Sequence, residues 1–163
     1  MITLRNLANV RDRYPSPAER DELTKYGSTV RERMLAMLDV QRISMSAAED
    51  CVTRIHLLYP NFNRYHASCR EKGIRDLDML LNYNAKMMYL DDMQLLNDQV
   101  LTWVRTLFKS FNFTPKFNRD TFTILRECVR KRVKASTYLL MEPYLNHTID
   151  YMSDIPEPLR PEV

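Results

Sequence analysis

Glycine is nearly missing from this sequence of 163 residues, in which it occurs only at Gly27 and Gly73. Average usage predicts about eleven glycines in a chain of this length. Phosphate-binding loops and dinucleotide-binding turns need several closely spaced glycines, so the sequence contains neither motif. Tight hairpin turns also use glycine at positions with positive φ, which disfavours an all-β fold. The shortage therefore predicts an all-α protein that lacks the common nucleotide-binding chemistry.

Charge and cysteine content exclude several further classes. The formal net charge of +3 is too small to indicate a nucleic-acid-binding protein without clustering. Cys51, Cys69 and Cys128 form no CxxC pair, which indicates reduced thiols. The chain shows no long apolar stretch and no signal peptide at its start. We expect a soluble cytoplasmic protein that neither inserts into a membrane nor binds nucleic acid.

Helix-capping signals divide the first third of the chain. Ser16–Glu19 reads SPAE, a capping box with proline at the first helical position. We predict that this first helix ends at Gly27 and that Ser28 begins a second. Ser46–Glu49 repeats the capping signature and predicts a third helix, which Pro60 ends. The second helix is expected to point these residues inward: Val30, Met34, Met37 and Leu38.

The rest of the chain also reads as helices. The patterns predict a long helix from Arg64 to Leu90, a cap at Asp91 or Asp92, a helix over 118–141 and a last one from near Pro143. An apolar series after Asp92 is expected to face inward: Leu95, Leu96, Val100, Trp103, Val104, Leu107, Phe108 and Phe111. Without repeats or linkers, this gives one domain of seven or eight helices, preceded by a short additional helix at 4–11.

Few residues indicate catalysis or metal binding. His56, His66 and His147 stand in no zinc-protease or catalytic-triad motif, so we expect a protein that is not an enzyme. His66 and Cys69 have a spacing that could present two zinc ligands, but the other two ligands are not evident, and we expect no metal site. The basic run Arg126–Lys134 carries an apolar stripe, which favours an ordinary solvated helix face over a phosphate-binding surface.

Three segments resemble one protein family. Arg13–Glu19 reads RYPSPAE, Ile74–Asp78 reads IRDLD, and Asp92 is followed by Leu96 and the pair Val100-Leu101. Together with Tyr144 near the end of the chain, these residues resemble the phycobiliproteins of allophycocyanin and phycocyanin type, which are light-harvesting antenna proteins. The likeness follows the helix order over nearly the whole chain and is ungapped over most of residues 73–113.

The resemblance implies a fold and a cofactor. The fold would be a globin-like bundle (28–153) with two N-terminal extension helices that pair subunits (1–27) and a Pro-rich tail (154–163). The cofactor would be a linear tetrapyrrole, or bilin, such as phycocyanobilin. Asp76 would accept hydrogen bonds from pyrrole N–H groups, and Arg75 would pair with a propionate. The plain reading of Arg75 and Asp76 is a surface ion pair.

The sequence departs from the family where the pigment is attached. Gly73 occupies the position of the cysteine that forms the thioether. Cys69 lies one helical turn earlier, about 6 Å away along the axis, and could replace it. The alternative is that Cys69 is a plain reduced thiol. Tyrosines that follow the motif in the family are replaced by Met79 and Leu80, and Met79 joins the candidate site.

The positions of a polar subunit contact have also changed. In the family an Asp on the first helix meets an Arg on the partner's pigment-bearing helix, and the aligned residues here are Asn9 and Asn82. A homodimer through the N-terminal helices is therefore expected rather than the usual heterodimer, although a phycobiliprotein-type partner or other phycobilisome components remain alternatives.

Three functions are open at this point. The first is a divergent phycobiliprotein-like protein that holds a bilin, non-covalently or through Cys69, for light harvesting or bilin handling. The second is a pigment-free interaction protein that acts in phycobilisome assembly, repair or degradation. The third is haem binding through His56 or His66. The cytoplasmic face of the thylakoid membrane is the expected location for the first two.

Overall fold

A capping box starts the first helix of the computed structural model, which describes residues 13–64 and 68–160, the side chains of residues 63 and 64 excepted. The Ser16 hydroxyl accepts a hydrogen bond from the Glu19 amide, and the Glu19 carboxylate accepts one from the Ser16 amide at 2.6 Å. Arg13 donates two further bonds to Glu19 at 2.6 and 2.7 Å. The predicted helix start at Ser16 is confirmed.

Helix α1 then runs from Pro17 to Leu58 without interruption. The predictions that a helix ends at Gly27 and that new helices begin at Ser28 and Ser46 are wrong. Gly27 does not adopt a positive φ, which is the conformation that would end a helix there. The hydroxyls of Ser28 and Ser46 donate to carbonyls of the preceding turn, as serines inside helices do. The continuous helix leaves Met34 and Leu38 exposed, contrary to the prediction.

Four more helices follow among the described residues, in which no β-strand occurs. After a short 3₁₀ turn at Pro60–Arg64 come α2 (Cys69–Leu90), α3, α4 (Pro115–Arg130) and α5 (Ala135–Ser153). Helix α3 comprises Met93–Leu96, a π-helical segment Asn97–Leu101 and Thr102–Ser110. The all-α, globin-like fold is confirmed, although seven or eight helices were expected. The predicted helix at 4–11 lies outside the described residues.

Asp91 ends α2, and Asp92 caps the start of α3. Asp91 has a left-handed backbone (φ 55°) that closes α2, and the Asp92 carboxylate caps α3 by accepting from the Leu95 amide at 2.9 Å. Thr114 caps α4 in the same way, through the Phe117 amide at 3.0 Å. The cap predicted at this aspartate pair is therefore present, with a different role for each residue.

The predicted boundaries of the last two helices are wrong. A turn at residues 131–134 interrupts the helix expected over 118–141, and Pro143 lies inside α5 instead of starting it. The Val133 amide still bonds to the Val129 carbonyl at 3.2 Å, so the helical spacing continues across the turn. An apolar pattern that continues in this way does not reveal where the helix ends.

The core lies where α1 is crossed by α2, α4 and α5. Small residues of α1, namely Ala36, Ala47 and Ala48, are buried there and let neighbouring helices approach closely. Four buried methionines fill the spaces between helices: Met87, Met88, Met141 and Met152.

Polar contacts join helices that are distant in sequence. Arg33 of α1 forms an ion pair with Asp91 at 2.9 Å, and the Tyr144 hydroxyl of α5 donates to the same carboxylate at 3.1 Å. Inside the core, Thr148 donates to the Asn84 amide oxygen at 2.9 Å. These contacts fix α1 and α5 against α2, the helix that carries most of the predicted site. The division into 1–27, 28–153 and 154–163 stays a prediction, although α1 crosses its first boundary.

Candidate functional site

A cleft of about 280 Å³ opens beside the first turns of α2. Five phenylalanines line it, and we call it the aromatic cleft: Phe62, Phe108, Phe111, Phe113 and Phe117. Val52 and Ile55 of α1 form the opposite wall. Side chains from α1, the 3₁₀ turn, α2, the end of α3 and the start of α4 thus meet around one space.

The aromatic rings form a continuous network. The centroid of Phe113 lies 4.7 Å from that of Phe117, 5.1 Å from that of Phe108 and 5.7 Å from that of Phe111. Phe62 adds a ring 5.4 Å from Phe117. Tilted and edge-to-face pairs at these distances are favourable arrangements for aromatic side chains. The cleft therefore offers a largely apolar, polarisable surface suited to a flat conjugated ligand.

Helix α2 gives the cleft its candidate site residues. Cys69, Gly73 and Asp76 all line it, because residues spaced by four and three positions share one face of a helix. Cys69 is the first residue of α2, and its free thiol is buried. Gly73 lies inside the helix, and a Cβ added to it would meet Val52 Cγ2 at 3.5 Å, an ordinary contact distance. The position would therefore accept a small side chain.

Asp76 lies at the edge of the aromatic cleft with Arg75 beside it. The Arg75 guanidinium approaches an Asp76 carboxylate oxygen at 3.3 Å, and the two side chains are 73% and 56% exposed. Arg75 itself does not line the cleft. In an exposed pair of this kind the net attraction is weak, so the carboxylate is available to another partner.

Met79 belongs to a neighbouring recess. This recess holds about 50 Å³ and shares Asp76, Leu77, Phe108 and Phe111 with the aromatic cleft. Met79 is half-buried there, and the indole of Trp103 and the side chain of Leu107 form the outer wall. Trp103, Leu107 and Phe111 were expected to face inward but are 55%, 41% and 47% exposed. Trp103 and Leu107 lie on the outer edge of α3 and Phe111 directly follows it, and all three border the recess at the surface, which explains the difference.

Sequence reasoning missed the aromatic wall and Thr121. The phenylalanines come from three separate segments, so no single periodicity links them. Thr121 follows Phe117 by four residues, which places both on one face of α4. Its side chain lines the cleft and is 5% exposed, and the hydroxyl has no hydrogen-bond partner in the described structure. The spacing from Phe117 was the available signal.

The histidines do not meet in this cleft. His56 is not among its lining residues and packs against Phe62 at 5.3 Å between ring centroids. Burial lowers the pKa of His56, and the nearby Arg70 lowers it further. His147 of α5 contacts Asn97 at 2.7 Å and does not line the aromatic cleft. His66 lies outside the described residues. In residues 13–64 and 68–160, no group of three or more acidic, cysteine or histidine side chains could hold a metal ion.

The basic run at the end of α4 is largely engaged within the protein. Arg126 donates to Asn146 at 2.6 Å, Arg132 pairs with Asp50 at 3.2 Å, and Arg130 lies over the Tyr138 ring. Asn82, one of the two altered contact positions, also bonds internally, since its amide donates to the Asp78 carbonyl at 2.9 Å. Asn9 lies outside the described residues.

Comparison with known proteins agrees with this arrangement of helices. No helix of the described ranges is both long and apolar enough to span a membrane. No individual curated protein matches the sequence. The model of the family described as phycobilisome protein matches residues 5–152, nearly the whole chain. Members of that family normally carry bilins, assemble into oligomers and serve as structural light-harvesting proteins rather than enzymes. The chain belongs to the phycobilisome protein family.

Proposed function

We propose that this protein binds a linear tetrapyrrole in the aromatic cleft and acts in light harvesting or bilin handling at the phycobilisome. The observation that carries the proposal is the meeting of an apolar, phenylalanine-lined cleft with the Asp76 carboxylate and the Cys69 thiol. Conjugated ligands bind in such clefts, where apolar walls supply most of the contact area and a few polar groups set orientation.

The residues present fit the chemistry of a bilin. Its flat pyrrole rings match the phenylalanine walls, and its pyrrole N–H groups need an acceptor such as Asp76. Its propionates need cations, and Lys72 lines the cleft while Arg75 lies next to Asp76. The cleft and the recess that adjoins it reach the lower end of the volumes of small-molecule sites, about 300–1,000 Å³.

On binding a bilin, the Asp76 carboxylate would release Arg75 and accept hydrogen bonds from the pyrrole N–H groups. Its present contact with Arg75 is exposed, and such pairs contribute at most about 1 kcal/mol. Releasing that contact therefore costs little, and the freed guanidinium can pair with a propionate. Carboxylate hydrogen bonds to N–H donors at the edge of an apolar site are stronger than those in water.

With Cys69 in the cleft and Gly73 in place of the family's cysteine, the bilin would be held in one of two ways. The Cys69 thiol lines the cleft and would serve as a covalent anchor in place of the family's cysteine. Without that bond, the pigment would be held by the aromatic walls and the Asp76 contact alone. A bound bilin would supply absorption of visible light, while the phenylalanines would exclude water and restrict its motion.

Partners and location follow from the same family membership. We expect a homodimer or a phycobiliprotein-type partner, with association to phycobilisome components on the cytoplasmic face of the thylakoid membrane. The internal bonding of Asn82 supports an interface that differs from the usual charged contact at this position.

The test is the colour of the protein purified from cells that also produce phycocyanobilin. We expect a visible absorption band that weakens or disappears in Asp76→Ala. Glu71→Gln is the matched control, because Glu71 is an exposed acidic residue of α2 that does not line the cleft. A colourless wild-type protein would contradict the proposal.

Covalent attachment needs its own measurement. Zinc-enhanced fluorescence of the denatured protein band should be present in the wild type and absent in Cys69→Ser if this thiol is the anchor. Cys128→Ser serves as the control, since Cys128 is also a buried free thiol but lies outside the cleft. Colour without such fluorescence would assign non-covalent binding.

The exposed outer edge of α3 favours a second candidate, a pigment-free interaction protein. Trp103, Leu107 and Phe111 present a local apolar surface that a phycobilisome subunit could cover. A colourless protein that co-sediments with phycobilisomes, and loses this association in Trp103→Ser, would support this function in assembly, repair or degradation.

A further inference from the structure

A groove of about 560 Å³ lies where α2 ends and α3 begins, beside α1 and α5, and we call it the junction groove. It shares no lining residue with the aromatic cleft. Its volume falls within the range of small-molecule sites, about 300–1,000 Å³. Apolar side chains form much of its wall: Met88, Met93, Leu139, Leu140 and Pro143. The groove is therefore a second space that could take a ligand with an apolar part.

An ion pair between α1 and the end of α2 forms the polar part of this groove. Arg33 lies 2.9 Å from Asp91 Oδ1, and the Tyr144 hydroxyl donates to the same oxygen at 3.1 Å. The guanidinium also donates to the Met88 carbonyl at 3.0 Å and to the Thr29 hydroxyl at 3.2 Å. In the described part of the chain, no hydrogen bond reaches the other carboxylate oxygen, Asp91 Oδ2. That oxygen remains available to a further donor.

The unpaired oxygen of Asp91 can be reached from outside. The described residues that carry a fully buried, unpaired side-chain nitrogen or oxygen atom do not include Asp91. Its side chain is 24% exposed and lines the junction groove. A donor placed in the groove can therefore approach this oxygen.

The charges that line the junction groove favour a cation. Asp91 and Asp92 contribute two negative charges, whereas Arg33 contributes one positive charge. His147 is mainly uncharged at neutral pH, because burial lowers the pKa of its imidazole. The lining is therefore net negative, although the chain as a whole carries a formal charge of +3.

We propose that the junction groove binds an organic cation, an alkylammonium or alkylguanidinium group whose apolar stem lies against the methionine and leucine walls. The charged end donates to Asp91 Oδ2, and charge-assisted hydrogen bonds of this kind are stronger than neutral ones. The stem is buried along apolar surface, as the stems of lysine and arginine side chains are. The site is separate from the aromatic cleft, so it does not depend on the proposed bilin function.

The test compares three probes of similar length on the purified protein. n-Butylguanidinium is a cation, n-butylurea is its neutral analogue of nearly the same shape, and pentanoate is an anion. Each titration follows the proton NMR signal of the His147 imidazole, which lines the groove and is identified by its absence in His147→Gln. We expect butylguanidinium to bind about 10-fold more tightly than butylurea, as the gain of a charged hydrogen bond predicts. Pentanoate should bind most weakly.

Substitutions of Gln94 test the charge preference and leave the ion pair intact. Gln94 is exposed and lines the groove, whereas Gln99 is exposed and does not. Gln94→Lys should weaken butylguanidinium binding roughly threefold and Gln94→Glu should strengthen it by a similar factor, as one added charge at the edge of the groove predicts. Gln99→Lys is the matched control and should leave the affinity unchanged.

Replacing Asp91 by asparagine tests the proposed contact itself. Asparagine tolerates the positive φ of this position, so the turn after α2 is retained. We expect Asp91→Asn to weaken butylguanidinium binding about 10-fold and to change butylurea binding little.

Two sources could supply the cation, a free amine or the arginine side chain of a partner polypeptide. An arginine blocked at both ends separates them: binding at least as tight as that of butylguanidinium assigns a partner's side chain, and binding of butylguanidinium alone assigns a free cation. Equal affinities for butylguanidinium and butylurea, tighter binding of pentanoate, or unchanged binding in both Gln94→Lys and Asp91→Asn would overturn the inference. None of these outcomes bears on the bilin proposal.

Discussion

Replacing Gly73 by alanine should stabilise the fold. Gly73 is the fifth residue of α2 and has an ordinary helical backbone, so alanine fits its conformation. In a helix interior, glycine is less favourable than alanine by about 0.8–1.0 kcal/mol. The new methyl group would lie 3.5 Å from Val52 Cγ2, close enough for contact without overlap. We therefore expect a gain of about 1 kcal/mol in the free energy of unfolding.

Thermal unfolding followed by circular dichroism at the helical band measures this gain. For a chain of this size, 1 kcal/mol raises Tm by about 2–4 °C. Gly27→Ala is the matched control, because Gly27 lies inside α1, is exposed and has no atom within 4 Å of an added Cβ. Both variants should be stabilised, since both remove a glycine from a helix interior.

Only Gly73→Ala should change pigment binding. Its methyl group narrows the aromatic cleft next to Asp76, while the Gly27→Ala methyl group points to solvent. Weaker phycocyanobilin binding by the more stable Gly73→Ala protein would show that the methyl group that stabilises the helix also obstructs the ligand site. An unchanged or lower Tm would refute the reasoning, because it would mean that residue 73 is not in a helix or that its neighbours leave no space.

Three other properties can be measured on the same protein. Hydrogen bonds from Arg13 and Ser16 lower the pKa of Glu19 to about 2. The contribution of the ionised Glu19 to stability is therefore complete above about pH 4.5 and is lost as the pH falls towards 2. Urea unfolding across this pH range should show the loss of stability, and the pH dependence should be smaller in Glu19→Gln. Phe117→Ala should cost about 3–5 kcal/mol in chemical denaturation, because the ring is buried in the aromatic network. Thr148→Val should cost about 1–3 kcal/mol by leaving the Asn84 oxygen unpaired, and an unchanged denaturation midpoint would contradict that bond.

The sequence predicted helix class and several caps, because those signals are local. The reciprocal bonds of Ser16 and Glu19 depend on residues three positions apart, and this cap was predicted correctly. The start of α4 was expected at residue 118, although Thr114 and Pro115 place it at Pro115. The same local rules predicted a false helix end at Gly27 and false helix starts at Ser28 and Ser46, because glycine and serine are also tolerated inside helices that are held by tertiary packing. Capping residues indicate where a helix can begin. The packing of α1 against the other helices determines that it begins only at Pro17 and continues through Ser28 and Ser46.

Part of the candidate site could be predicted for the same reason. Cys69, Gly73 and Asp76 share one helix, so their common face follows from spacing alone. Which side of α2 faces a cleft, and what lines the other side, depends on contacts between helices that no local pattern contains. Met79 illustrates the limit, since it lies on the same helix but borders the smaller recess.

Gly73 and Thr121 both lower the stability of the ligand-free chain, and both residues line the aromatic cleft. A glycine inside a helix and an unpaired buried hydroxyl both lower the stability of the ligand-free chain, and local substitutions such as alanine and valine would remove each cost. Both residues line the same space, one on α2 and one on α4. The Thr121 hydroxyl oxygen is itself buried, so a ligand in the cleft can act only at Gly73, where an alanine methyl group would stabilise the helix and narrow the space beside Asp76. Ligand-free stability and ligand affinity should therefore change in opposite directions in Gly73→Ala.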